Sequence, residues 1–414
     1  MPGRIVLFGA TGYTGKLTAE ALVERGLRPV LAARSRPKLE ALAEELGGRA
    51  LAVAAAEPAA AADMTGGLRT PLETAVADVS DPPSVRALVE QGDLLVTTVG
   101  PFVRWGSAAA AAATTAGAHY LDSTGEPPFI REVFERYGPV AERAGCGMLT
   151  AFGYDWVPGN LAGGIALDRA GESAVRIDVG YFVTGSANAD SMSGGTRASL
   201  VGVIAEPSFS YTEGRVRGER GAKDVRSFAV GGRELAGVSV GSSEHFALPR
   251  VAPQLREVNS YLGWFGPASR AMQVMSAGTS LAMKVPGVEN LWKAAGEKLV
   301  KGSSGGPDEA TRSRTGSHIV AIAYDSAGRE LSEVHVSGVD GYTFTGRILA
   351  WGADRAAAGG LKGTGALGPV DGFGLAELID GCAQAGIAEA EEPGSARQRE
   401  VESPHPPLEE SSTG

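Results

Sequence analysis

The chain has 414 residues, of which 43% are hydrophobic, and its 48 Asp and Glu against 38 Lys and Arg leave a net charge of −10. At roughly 100–200 residues per domain this length means two or three folded units, and an acidic chain without a basic block excludes a nucleic-acid binder, because phosphate contacts need clustered Lys and Arg. The two cysteines, Cys146 and Cys382, form no CxxC pair and indicate neither a disulfide framework nor a zinc site, no apolar stretch reaches the ~20 residues of a membrane span, and the start reads as a buried strand, so a cytoplasmic enzyme is the expectation.

In chain order, residues 4–8 form an apolar run broken at Gly9, and apolar spacing over 16–25 predicts a helix. A second run follows at 29–33 with a helix over 35–46, then an Ala-, Pro- and Gly-rich surface insertion at 51–70. Strands are expected at 74–77, 93–99, 119–122 and 147–151, with helices at 83–91, 107–116 and 129–144 between them. Short strands alternating with helices at this spacing give an α/β fold, a parallel sheet covered on both faces.

The pattern changes near residue 160. Val175, Ile177, Val179, Tyr181 and Val183 alternate as in a half-buried strand. Similar stretches at 215–217, 225–230, 245–248, 318–324 and 333–339 predict a second, strand-rich unit with a mostly antiparallel sheet. The stretch 261–300, with Trp264, Met272, Met275, Met283 and Trp292, reads as packing helices or as an adaptable apolar lining for a greasy substrate. Residues 340–357 and 371–386 predict closing helices, and from about Glu389 the composition is that of a disordered tail.

The strongest local motif is Gly9-Ala10-Thr11-Gly12-Tyr13-Thr14-Gly15, which follows a strand and opens a helix. That is the context of a dinucleotide-binding loop: Gly9 for the tight turn, Gly12 for the approach of a pyrophosphate, Gly15 for close helix–sheet packing. The amides of Thr11, Tyr13 and Thr14 then stand at a helix N-terminus, where phosphates are favoured. The second strand ends in Ala33-Arg34-Ser35-Arg36-Pro37-Lys38, without the acidic residue that holds an NAD ribose. Arg34, Ser35 and either Arg36 or Lys38 suit a 2′-phosphate, so the expected cofactor is NADPH.

Gly100 and Pro101 follow the fourth strand, where the nicotinamide half of the cofactor is expected. His119-Tyr120-Leu121-Asp122-Ser123-Thr124-Gly125-Glu126 and Gly153-Tyr154-Asp155-Trp156 reach the same sheet edge. Tyr154, Asp155 and Tyr120 are therefore candidates for proton donation or substrate positioning, with a turn or helix-cap role for Asp155 as the alternative. His119 reads more readily as structural than catalytic. Ser193-Gly194-Gly195-Thr196 is a further glycine cluster, read as a turn into a helix at 196–204.

Taken together, GATGYTG at 9–15, AARS at 32–35, TVGPF at 98–102, GAHYLDSTGE at 117–126, GYDWVPGN at 153–160, SGGT at 193–196 and KGTGALGPVDGFG at 362–374 resemble the saccharopine-dehydrogenase-like oxidoreductases. Within that family the chain is most similar to the bacterial trans-acting enoyl reductases of polyketide and lipid assembly, over residues 3–388. The family's usual GFDS is replaced by Gly153-Tyr154-Asp155-Trp156, with Asp155 matching. The resemblance implies a Rossmann-type doubly wound parallel sheet at 1–160 and a β-rich α+β substrate and dimerisation domain at 161–345. It further implies C-terminal helices returning to the first domain at 346–388, with the tail at 389–414.

The implied activity is NADPH-dependent reduction of an acyl substrate, carried on an acyl carrier domain of a synthase, by a chain that could act as a homodimer. The absence of Lys from 39–222 argues against a zwitterionic substrate. A saccharopine-type imine or amino-acid reductase is the alternative, with Arg104 or Arg197 to hold a carboxylate. A non-catalytic NADP-binding sensor is a third reading.

Overall fold

The short runs of the first 150 residues become strands, each too brief to form a stable helix, and β1 to β4 carry β-branched residues that favour the extended form. They are β1 (Ile5–Phe8), β2 (Val30–Ala33), β3 (Thr74–Val76), β4 (Leu94–Thr97), β5 (His119–Asp122) and β6 (Gly147–Leu149). The structure is a computed structural model and describes residues 3–56, 71–186, 207–264, 266–282 and 305–390. The strands lie in the order β6-β5-β4-β1-β2-β3, with a late strand, β15 (Gly365–Ala366), beside β6, and every pair is parallel. All residues of β1, β2 and β4 are buried, as a sheet covered on both faces requires. The chain winds outward from β1 to β3 and then returns to β4, so the crevice between β1 and β4 is the switch point at which such sheets take ligands.

The helices between these strands differ from expectation mainly at their ends. Helix α1 (Tyr13–Glu24) starts at the glycine loop itself, and α2 (Arg36–Ala56) runs on into what reads as an insertion, of which 57–70 lies outside the described residues. Helix α3 (Phe102–Ala116) begins five residues before its apolar pattern does, for a reason found in the site below. The single helix expected at 129–144 is three segments, Pro127–Glu132, a wide π-type turn at Val133–Tyr137, and Gly138–Ala144.

Helix α4 (Val157–Ala170) leads to the second sheet and packs on three of its strands, β7 (Arg176–Gly185), β13 (Thr315–Tyr324) and β14 (Glu330–Val339). The order in this sheet is β10 (Val225–Val230), β11 (Arg233–Ser239), β12 (Glu257–Leu262), β7, β13, β14 and β16 (Ile387–Glu389), with β8 (Pro207–Thr212) on β12 and β9 (Arg215–Arg220) on β8. Among the described residues, only the β12–β7 pair of this sheet is parallel. The alternation seen in the sequence is real: Ile177, Val179 and Tyr181 join the main core, while Phe182, Val320, Ile322 and Tyr324 form a second cluster on the opposite face. Four strands of this sheet, β8, β11, β12 and β16, escape the sequence reading.

One expected strand is a helix. Residues 245–248 lie in α5 (Glu244–Val251), where Glu244, Ala247 and Leu248 are buried together at helical spacing. Four residues cannot distinguish period 2 from period 3.6, and the neighbouring carboxylate at 244 was the missing point of the pattern.

The C-terminal segment ties the sheets together. Asp340 caps α6 (Gly341–Ala357), accepting the N–H groups of Tyr342 at 2.9 Å and Thr343 at 3.1 Å, and α6 lies along α1. After β15 and helix α7 (Leu375–Ala385), β16 (Ile387–Glu389) adds to β14 of the second sheet. The chain beyond residue 390, read as a disordered tail, lies outside the described residues.

Candidate active site

The glycine loop has the geometry its motif requires. Gly9 sits at φ +92°, a conformation that L side chains rarely adopt. Its N–H donates to Ala32 O at 2.8 Å, and the N–H of Gly12 donates back to Gly9 O at 2.9 Å. A Cβ on Gly15 would overlap that same Gly9 carbonyl, so α1 can approach β1 only with glycine there. Gly12 is the N-cap of α1, which leaves the first-turn amides of Tyr13, Thr14 and Gly15 at the positive end of the helix. The Tyr13 side chain is engaged elsewhere. Its hydroxyl donates to Pro307 O at 2.5 Å and accepts from Arg312 at 3.0 Å, and its ring meets Tyr342 edge-on at 5.2 Å. Thr11 is half-buried in the loop.

At the end of β2, Arg34, Arg36 and Lys38 are exposed and Ser35 is half-buried just before α2. A cradle that a Cβ would fill, a helix N-terminus and an exposed arginine at the ribose end fit an NADP molecule. Beyond β4, Thr98 lies against Gly9, its hydroxyl 3.4 Å from Gly9 O. Gly100 and Pro101 follow, and Pro101 is the N-cap of α3. Proline carries no side-chain acceptor, and Glu126 supplies one instead: its buried carboxylate accepts the N–H groups of Phe102 at 2.9 Å and Val103 at 2.8 Å. This distant cap is why α3 starts early.

The loops after β5 and β6 are joined by Asp122. Its buried carboxylate accepts from Thr124 N at 2.9 Å, Ala151 N at 2.9 Å and Thr150 Oγ1 at 2.8 Å. Burial pushes its carboxyl up to about 6 against these stabilising hydrogen bonds. Tyr120 is fully buried within β5, its hydroxyl beside the Asp122 carboxylate and raised in pKa, first by burial and then by the charge of Asp122. It is a core side chain and not part of the loop edge. His119 accepts the N–H of Gly147 at 3.0 Å, a structural bond between β5 and β6. Arg104 is exposed and stacks over Trp105 at 4.5 Å; Arg197 and the glycine cluster at 193–196 lie outside the described residues.

Tyr154 and Asp155 follow β6. Asp155 is not a helix cap, since α4 begins at Val157 with Trp156 at the N-cap position. Asp155 Oδ1 is buried with no hydrogen-bond partner, and burial pushes its carboxyl up to about 7. Oδ2 faces Gly125, where a Cβ would come within 2.8 Å of it, so the loops after β5 and β6 touch at this point. Tyr154 is buried; its N–H donates to Thr345 Oγ1 at 3.0 Å, and its hydroxyl, beside Ser317, is raised well above an ordinary phenol by burial. Its ring stacks with Trp264 at 6.4 Å and meets Tyr181 edge-on at 5.9 Å.

The second sheet contributes residues that no motif signalled. The Tyr181 hydroxyl lies 2.5 Å from Glu244 Oε1, accepts the N–H of Gly159 at 2.8 Å, and is 3.2 Å from Trp156 O. Glu244 is fully buried, its Oε2 without a partner, and its carboxyl is pushed up to about 7, first by burial. Asn160 donates to Trp156 O at 2.9 Å and Ser243 Oγ at 3.0 Å, leaving its own Oδ1 unpartnered. Trp156 Nε1 and Trp264 Nε1 are likewise buried without partners. Buried polar atoms are normally satisfied. Unpartnered donors and acceptors gathered beside the sheet edge are therefore what a substrate-binding site would show. Met283 and Trp292 lie outside the described residues, while Met275 is 58% exposed.

A doubly wound parallel sheet with a glycine cradle, joined to a β-rich unit that supplies aromatic and acidic groups, defines a dinucleotide-dependent oxidoreductase. Residues 5–146 match the model of the saccharopine dehydrogenase NADP-binding domain. A Mycobacterium tuberculosis H37Rv protein provisionally named a trans-acting enoyl reductase is 30% identical over 392 residues, covering 83% of this chain and 86% of its own. A trans-acting enoyl reductase of Mycobacterium bovis is 37% identical over 159 residues, 38% of this chain and 34% of its own. The solved Saccharomyces cerevisiae saccharopine dehydrogenase (L-Glu forming) superposes with a TM-score of 0.55 at 12% identity, covering 94% of this chain and 99% of that one, a likeness of fold. The chain belongs to the saccharopine-dehydrogenase-like oxidoreductase family, and it is an NADP-dependent reductase. None of its described helices is long and apolar enough to cross a membrane.

Proposed function

We propose that this protein reduces the conjugated double bond of an acyl or polyketide intermediate held on the carrier domain of a separate synthase, with Asp155 as proton donor. Bound NADPH supplies the hydride for the β-carbon. Gly9, Thr11, Gly12, Tyr13, Thr14 and Gly15 hold its pyrophosphate through backbone, Arg34, Ser35 and Lys38 its 2′-phosphate, and Gly100 and Pro101 face the nicotinamide. Addition at the β-carbon turns the thioester carbonyl into an enolate, which needs a hydrogen-bond donor at oxygen and a proton at the α-carbon. The Tyr154 hydroxyl serves the oxygen. The protonated Asp155 carboxyl gives its proton to the α-carbon and takes another from solvent. Tyr120, enclosed in the core, acts only by packing beneath the loop.

The observation that carries this reading is the Asp155 carboxyl at the sheet edge, whose Oδ1 is buried without a hydrogen-bond partner and which burial pushes up to about 7. An imine or amino-acid reductase would need a cation for the substrate carboxylate. Among the described residues, no Lys or Arg is hydrogen-bonded to Asp155 or Glu244, and the surrounding rings of Tyr154, Trp156, Tyr181 and Trp264 suit an uncharged acyl group. The test follows NADPH absorbance with an enoyl thioester, with an α-keto acid plus amine, and with neither. Oxidation is expected only with the thioester. Oxidation only with the keto acid and amine overturns the proposal in favour of C–N reduction, and NADPH binding without any oxidation points to a non-catalytic sensor.

A further inference from the structure

The loop that carries Asp155 is held from the opposite sheet by a hydroxyl with more neighbours than protons. Tyr181 Oη accepts the N–H of Gly159 and has two acceptors in reach, Glu244 Oε1 at 2.5 Å and Trp156 O at 3.2 Å, but a single proton to give. With Glu244 ionised, that proton is drawn to the carboxylate, leaving Asn160 as the hydrogen-bond donor to Trp156 O. When Glu244 is protonated, its own O–H donates to Tyr181, and Tyr181 turns its proton to Trp156 O. Trp156 follows Asp155 in the chain, so the two proton states of Glu244 pull differently on the Trp156–Val157 peptide, one residue beyond the proposed acid. The packing admits no slack, since a Cβ on Gly159 would overlap both the Tyr181 hydroxyl and Glu244 Oε1.

We infer that Glu244 is a positioning residue which, through Tyr181, couples the second sheet to Asp155, the two carboxyl groups holding their protons as one interacting pair. The titratable groups around the pair are Tyr154 on the loop, Tyr181 on β7 and His245 on α5. The charge of Asp155 adds to the burial that raises Glu244. His245 is kept neutral by burial and held by Ser242, at 2.9 Å from its hydroxyl, and among the described residues no Lys or Arg is hydrogen-bonded to the pair. Interaction of this kind is reciprocal: each carboxyl must titrate lower when the other loses its charge.

This inference builds on the proposed role of Asp155, but its test needs no turnover. Infrared difference titration of the full chain reads the carbonyl stretch of protonated carboxylic acids, with Asp155→Asn and Glu244→Gln assigning the two bands. In E244Q the Asp155 band is expected to titrate at least half a pH unit below wild type, and in D155N the Glu244 band is expected to move the same way. Unchanged midpoints overturn the coupling. Should E244Q fail to fold, Tyr181→Phe is read instead: loss of the tyrosine hydrogen bond should raise the Glu244 midpoint, and an unmoved midpoint also overturns the inference. As a second readout, E244Q should shift the pH profile of enoyl thioester reduction while leaving NADPH affinity unchanged. A wild-type enzyme inert toward that thioester would count against the proposed substrate and leave the infrared result to stand.

Discussion

Asp155 and Glu244 make the folded protein sensitive to pH in a direction opposite to most carboxylates. Burial raises Asp155 from an ordinary 3.8 to about 7 and Glu244 from 4.5 to about 7, so the folded state keeps protons that the unfolded chain has already released. Where the folded state binds more protons, stability falls as pH rises. The loss therefore accumulates between about pH 4 and pH 7 and is complete above that window. D155N removes one of the two groups. It should melt about 2–4 °C above wild type at pH 8, with the difference vanishing near pH 4, as read by circular dichroism. A variant less stable than wild type at pH 8 would mean that Asp155 is satisfied in its ionised form. The same residue-level logic applies to Arg34, exposed at the end of β2. A charge-assisted hydrogen bond to phosphate contributes about 1.5–3 kcal/mol, so Arg34→Asp should weaken NADPH binding at least ~10-fold by fluorescence titration, with little effect on NADH. Equal loss for both nucleotides would place the 2′-phosphate elsewhere.

At the scale of elements, α3 shows how a helix can be set by a residue it does not contain. Its N-cap is a proline, and the carboxylate of Glu126, 23 and 24 residues away, satisfies its first two amides. Glu126→Ala leaves the buried N–H of Phe102 and the part-buried N–H of Val103 without their acceptor, at a cost of about 1–3 kcal/mol. The expected result is a melting temperature lower by about 1–3 °C together with weaker NADPH binding, because Gly100 and Pro101 lead into this helix. The contrasting substitution Glu126→Gln keeps one acceptor and should recover part of both. An Ala variant with wild-type stability and affinity would remove Glu126 from the site. Elements of this kind also mark how far the sequence could be read. Strands β1 to β6 of the parallel sheet were legible as short runs between turns, whereas the two-residue β15 was not, and Gly9 to Gly15 were legible because backbone geometry allows so few residues there. Tyr154 and Asp155 were found as members of a strand-end loop. Glu244 was not, because its partner Tyr181 lies 63 residues away on another sheet, and its neighbours at 245–248 mimic a strand when taken alone. A pairing across that separation leaves no local periodicity to detect.

For the whole molecule, the connections between sheets argue for a single cooperative unit. Helix α4 begins at the Rossmann sheet edge and packs on β7, β13 and β14, while α6 starts from the end of β14 and lies along α1. The C-terminal segment then adds β15 to the first sheet and β16 to the second, and Arg169 of α4 forms a two-pronged ion pair with Glu389 of β16 at 2.7 and 2.8 Å. Exposed ion pairs of this kind contribute little. The main core matters more, because it runs without a break from Val6 and Leu31 in the first sheet to Ile319 and Val336 in the second. Separating the sheets would expose that continuous apolar surface, so neither is expected to survive the loss of the other. A ligand that binds only the folded state stabilises it by RT ln(1 + [L]/Kd), about 2.7 kcal/mol at 100 times Kd. NADPH touches only the first sheet in the proposed arrangement. Its stabilisation should nevertheless move one common melting transition, followed alike by far-ultraviolet dichroism and by the fluorescence of a variant that keeps Trp264, beside the second sheet, as its only tryptophan. Two transitions, of which NADPH moves only one, would show that the sheets unfold independently and that α4 and α6 connect them without coupling them.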